Sequence, residues 1–214
     1  MDEEIQIINE NTRREKFKNF ITKYKKILIG SSSAFVLIIF LFFLYSDFKH
    51  KNQLKIADKF NEITTSYDNK KNENIVQDLT SIIYKKDKTY SPLALNFLID
   101  NKIVNDKEKI NKFFDIIINE IKHEKEIKNL IIYKQALYNA ESSAENNLLK
   151  ILNPILNSDS IWKSHSLYLM AEYFYSKNEK EKSKEFLNRI IELDDPNPNI
   201  KIEAQKRIRR DFSD

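Results

Sequence analysis

Apolar residues recur at intervals of three and four along most of the chain, and no stretch alternates as a half-buried strand would. The rhythm breaks once, over residues 27–45 (ILIGSSSAFVLIIFLFFLY), where 19 consecutive residues carry no charge and present no polar face. A helix of that length rises roughly 30 Å, the thickness of a bilayer's hydrocarbon core. Ser31, Ser32 and Ser33 can return their hydroxyls to helix carbonyls, so they fit within such a span. The pattern predicts a transmembrane helix over 27–46. A 26-residue leader and so long an apolar run are unlike a cleaved signal peptide, and no small-x-small site follows Tyr45. A signal anchor is expected.

Beyond the span, helical stripes follow one another with short links. Leu54, Ala57, Phe60, Ile63 and Tyr67 mark a first helix that continues from the membrane, and Ile75, Leu79, Ile82 and Ile83 a second. Ser91 and Pro92 read as N-cap and first turn of a third, which carries Leu95 and Leu98. Asn105 and Glu108 have the spacing of a capping box ahead of Ile110, Phe113, Phe114, Ile117 and Ile121. A fifth stripe holds Ile127, Leu130, Ile131 and Leu137; a sixth holds Leu148, Leu149 and Leu152, with Asn153-Pro154 expected to stop it. Trp162, Leu167, Met170, Ala171 and Phe174 form the seventh, Phe186, Leu187, Ile190 and Ile191 the eighth, and Ala204 and Ile208 the last. The fold class expected is all-α: one N-terminal transmembrane helix, then a tetratricopeptide-like (TPR-like) α-solenoid of about nine helices. The domains are 1–26, a basic amphipathic leader; 27–46, the span; and 47–214, the helical domain.

The seventh and eighth helices best match the tetratricopeptide pattern. Leu167, Met170, Ala171 and Phe174 supply large, large, small and aromatic positions; Ser183 takes the next small position, and Leu187 and Ile190 pack against it. Pro196 falls one residue late. Earlier pairs match only in periodicity.

Charge adds an orientation. Residues 13–26 carry seven basic side chains, Arg13, Arg14, Lys16, Lys18, Lys23, Lys25 and Lys26, against four in 47–60. Positive residues stay on the cytoplasmic side, so the N-terminus is expected inside and the helical domain outside. Ile5, Ile8, Thr12, Phe17, Phe20, Ile21 and Tyr24 share helical spacing; the leader either lies on the inner leaflet or is a plain stop-transfer flank.

Composition removes several chemistries. With one glycine, Gly30, inside the apolar run, Gly-rich nucleotide loops are excluded. No cysteine means no disulfide, thiolate nucleophile or Cys-ligated zinc. The 36 basic and 32 acidic residues are too evenly balanced for the charge footprint of a nucleic-acid binder. His50, His123 and His165 stand apart, with His123-Glu124 expected in solvent, and Ser164 and Ser166 point away from His165 along a helix. Arg207, Arg209 and Arg210 suit either a helix C-terminus or an acidic partner. No catalytic, metal or cofactor site is expected, nor a small-molecule substrate.

Two segments resemble a known family. Residues 3–30 (EEIQIINENTRREKFKNFITKYKKILIG) are similar to the N-terminus of the bacterial ancillary SecYEG translocon subunits, the YfgM-like family, with an acidic start, an Arg-Arg-Glu-Lys stretch and an aromatic-basic segment before the span. Residues 161–208 resemble that family's closing hairpin through Trp162-Lys163, Ala171, Asn178, Ser183, Pro198 and Arg207. Asn178 stands where the family usually has Gly, and Ser183 where it usually has Ala. The resemblance implies a single-pass inner-membrane protein with a periplasmic TPR-like domain, accompanying a SecYEG-type translocon and a periplasmic, membrane-anchored chaperone. The expected role is a non-enzymatic adaptor that binds the chaperone or emerging chains, with Tyr168 and Tyr175 as partner anchors. An envelope-stress or signalling regulator, acting through the cytoplasmic leader, is the alternative.

Overall fold

A computed structural model describes residues 2–67 and 74–212, with side chains from residue 13 onward except Leu28 and Ser32. Among these residues the chain is all-helical: α1 (Asp2–Thr65), α2 (Ile75–Tyr84), α3 (Tyr90–Asp100), α4 (Lys107–Glu120), α5 (Lys125–Asn139), α6 (Glu145–Leu156), α7 (Lys163–Ser176), α8 (Lys180–Ile191) and α9 (Pro198–Asp211). The chain divides into two units, Met1–Lys55 and Ile56–Asp214.

The first unit is helical and contains one stretch long and apolar enough to cross a membrane, near the N-terminus. Its most apolar 18-residue window has a mean hydropathy of 2.1 and none of it is buried. Every residue from Phe35 to Tyr45 is 41–66% exposed. A soluble core helix buries its apolar stripe, and this one buries nothing. On the leader, Arg13, Arg14, Lys16, Lys23, Lys25 and Lys26 are exposed, as are Phe17, Phe20 and Ile21. Phe20 and Tyr24 touch one turn apart, with ring centroids 4.9 Å apart. The side chains of Ile5, Ile8 and Thr12, expected on the same stripe, lie outside the described residues.

In the second unit the principal contacts join consecutive helices from α2 to α9, with second-neighbour contacts between α2 and α4 and between α7 and α9. Because each stripe has a neighbour on both sides, one continuous core runs through the unit, from Leu79 and Ile82 through Phe113, Phe114 and Leu152 to Met170, Leu187 and Ala204. Helix ends are closed without glycine. Lys86, Lys102 and Asn178 take positive φ (54°, 50° and 63°) just past α2, α3 and α7. After α7 the amides of Asn178 and Glu179 donate to the carbonyls of Tyr175 and Phe174 at 3.0 and 2.9 Å, a Schellman closure.

Local chemistry moves several boundaries. The cap of α3 is supplied by Asp87, whose Oδ1 accepts from the amides of Thr89 and Tyr90 at 2.8 Å. Ser91, expected as N-cap, is instead buried inside α3, and its Oγ donates to the Ile82 and Ile83 carbonyls at the end of α2. Asp106, one residue after the expected Asn105, caps α4 by accepting from Lys109 N at 3.1 Å. α6 is not stopped at Pro154: it runs on to Leu156, because Ile155 and Leu156 are drawn into the core while Pro154 faces solvent. On α5 the expected Ile127 and Leu137 are exposed; Asn129, Gln135 and Asn139 are buried with Ile131, Ile132 and Ala136. Two of them find partners on α4, where Asn139 and Asn111 exchange amide hydrogen bonds of 2.7 and 3.0 Å and Gln135 donates to Asp115, while the buried Nδ2 of Asn129 has no partner among the described residues.

Candidate functional site

The α7–α8 residues read as repeat packing, Leu167, Met170, Ala171, Phe174, Ser183, Leu187 and Ile190, are all buried to within 1% exposure. Phe174 stacks on Phe186 at 5.4 Å. They form an interior, with no surface to offer. Tyr168 and Tyr175, expected as anchors for a partner, are half-buried within the chain. Tyr175 meets Phe212 edge-on at 6.0 Å and lies under the Arg207 guanidinium at 4.6 Å. Burial pushes the Tyr168 phenol up, and the neighbouring Glu172 carboxylate pushes it the same way. Arg207, read as part of a basic cluster, pairs with Glu172 at 2.8 Å and Asp211 at 3.0 Å. α9 therefore occupies the face on which those tyrosines sit.

An open concavity lies elsewhere. A groove of about 630 Å³ runs along α3, α4 and α5. Pro92, Leu93 and Asn96 of α3 form one wall, Ile127, Leu130 and Lys134 of α5 the other, and Phe114 and Ile117 of α4 the floor. Backbone chemistry opens it at one end. The left-handed turn at Lys86 and the Asp87 cap start α3 beside Lys88, while extended residues at Ile121 and Glu124 carry the chain from α4 into α5 past His123. Leu93 is 40% and Ile127 47% exposed. Among the described residues, these are the two exposed large apolar side chains of the second unit that share a cavity.

His123, expected in solvent, lines this groove half-buried, with its Nε2 unpartnered among the described residues. Burial lowers its pKa; a hydrogen bond with the Ile117 backbone opposes that, and the nearby Lys88 and Lys128 charges add to the lowering. His165 sits apart from it in an aromatic cluster, 5.1 Å from Trp162 and 6.0 Å from Tyr133, and burial lowers its pKa too. Trp162 is anchored by donating from Nε1 to the Glu126 carbonyl at 3.1 Å, and the Glu126 carboxylate accepts from Ser160 Oγ at 2.7 Å. That knot fixes the start of α7 to the start of α5. Among the described residues no group of three or more His, Asp or Glu side chains is placed to hold a metal ion.

The sequence pattern did not single out Leu93, and it placed Ile127 on a buried stripe. One signal was available: α3 (YSPLALNFLID) is apolar at most of its positions, more than a single packing stripe needs. Compared with family models, with curated proteins and with solved structures, the chain matches none.

Proposed function

We propose that this chain is a non-enzymatic adaptor, anchored in the bacterial inner membrane by residues 27–46, whose TPR-like helical domain recognises other proteins on the periplasmic side. The observation that carries the reading is the groove between α3 and α5, which keeps Leu93 and Ile127 in water. Exposed apolar surface forgoes about 25 cal/mol per Å² of burial, and a concave apolar face bordered by charge is the form of a protein-recognition surface. Packing of consecutive helices supports a solenoid, in which such a groove follows from helices of successive layers standing side by side. The basic excess in residues 13–26 supports a cytoplasmic N-terminus. The resemblance of residues 3–30 and 161–208 to ancillary translocon subunits supports a SecYEG-type channel and a periplasmic, membrane-anchored chaperone as the company it keeps.

The test is a mild-detergent pull-down of the tagged full-length protein after crosslinking in cells, read by mass spectrometry. Channel subunits together with a periplasmic chaperone are the expected catch. Recovery of cytoplasmic proteins alone, lost on deletion of residues 2–24, would overturn the adaptor and leave a regulator that works through its leader.

A further inference from the structure

We infer that the α3–α5 groove receives the apolar row of a short amphipathic peptide whose carboxylates meet the lysines at its rim; this rests on the adaptor reading of the same groove. Three features specify that occupant. Exposed Leu93 and Ile127 and half-buried Leu130 give the groove an apolar stretch over buried Phe114 and Ile117, which suits a row of aliphatic side chains, with Asn96 and His123 as polar neighbours in the lining. About 630 Å³ holds a few such side chains, so the occupant lays one face into the groove and keeps its other face in water.

The rim then decides the charge of that outer face. Lys88 and Lys134 border the groove, and Lys128 lies close enough to bear on His123. Glu124 is the one carboxylate in the lining. In this unit Lys59 pairs with Asp78 at 3.0 Å, Lys86 with Glu120 at 2.6 Å and Lys182 with Glu145 at 2.8 Å. Lys88, Lys128 and Lys134 have no such partner among the described residues. Lys88 and Lys134 at the rim, with Lys128 nearby, outweigh the single carboxylate of Glu124, so they favour carboxylates at the peptide's edges and repel a basic peptide of the same shape.

The probe is a labelled 15-residue peptide with leucines at i, i+3, i+4 and i+7 and glutamates between them, set against a twin with lysines in place of the glutamates. Binding is read by fluorescence anisotropy on the full chain in zwitterionic nanodiscs, with empty discs as reference. The acidic peptide should bind at least tenfold tighter than its twin. Lys88→Glu with Lys134→Glu should reverse that order, and Ile127→Asp should weaken both peptides tenfold with the helical circular dichroism retained. The two lysine substitutions lie at the rim, so they carry the test even if Ile127→Asp perturbs folding. Equal binding of the two peptides, indifference to the lysine reversal, or full displacement by palmitate would overturn the inference. A pull-down that brings the channel and chaperone beside a groove blind to peptide charge would sink this inference alone. Charge-selective binding beside a pull-down without them would sink the adaptor reading alone.

Discussion

Asn178 takes φ 63° to close α7, in a chain whose one glycine lies far away in the apolar run. A side chain in the left-handed region costs of order 1 kcal/mol that glycine escapes, partly offset by glycine's greater freedom when unfolded. Asn178→Gly should therefore raise stability by about 0.5–1 kcal/mol, measured as a higher urea midpoint at unchanged slope. His165 gives the domain an acid sensitivity. Its ordinary value is 6.5; burial lowers it in the folded chain, against the hydrogen bond with the Ile161 backbone. Below pH 6.5 the unfolded chain takes up the proton more readily than the folded one. The contribution is whole above that pH and is lost as pH falls toward the lowered value, and His123 acts in the same direction. His165→Phe keeps a ring against Tyr133 and Trp162 while removing the titration, so the unfolding midpoint should fall less steeply with acid.

At the scale of elements, α6 carries the clearest conflict between local propensity and packing. Pro154 lacks the amide that would bond back one turn, yet the helix continues because Ile155 and Leu156 bury beyond it. Pro154 itself is exposed, so its ring contributes no packing to set against the lost hydrogen bond. Pro154→Ala should stabilise the domain by about 1–2 kcal/mol, after allowing for the freer unfolded chain, and thermal melting would register it. A neutral or destabilising result would mean that the proline holds the turn into α7. The stripes of α2, α4 and α8 were readable from spacing alone, since one strong apolar face leaves one way to pack, whereas α7 buries residues nearly all round, Ser164, Ser166, Leu169 and Tyr173 included. α5 was not readable this way. Its stripe rotated because Asn111 and Asp115 of α4 offer hydrogen bonds to Asn139 and Gln135, which turns polar residues inward and Ile127 and Leu137 outward.

For the whole molecule, the apolar run of α1 is exposed along its length, and it is the one candidate membrane span among the described residues. An aspartate near a span's centre costs about 3 kcal/mol for insertion. Leu37→Asp with Phe40→Asp should shift the full-length protein from the carbonate-resistant membrane fraction into the soluble or aggregated fraction. Retention in the membrane by the double variant would point to a different attachment.

The amino-acid order alone determined the helical class, the apolar segment and the absence of glycine- and cysteine-dependent chemistry, because those follow from periodicity and composition and need no partner. It also picked out buried residues of α7 and α8, although α7 buries Ser164, Ser166, Leu169 and Tyr173 besides. Tertiary structure decided which apolar residues have company. α9 covers Tyr175 through Arg207, with Phe212 just beyond it, while Leu93 and Ile127 stay 40% and 47% exposed. A stripe in sequence states that a residue prefers to be buried; whether a neighbour arrives to bury it depends on how successive helices are rotated. On α5, three hydrogen bonds to α4 accompany the inward turn of Gln135 and Asn139.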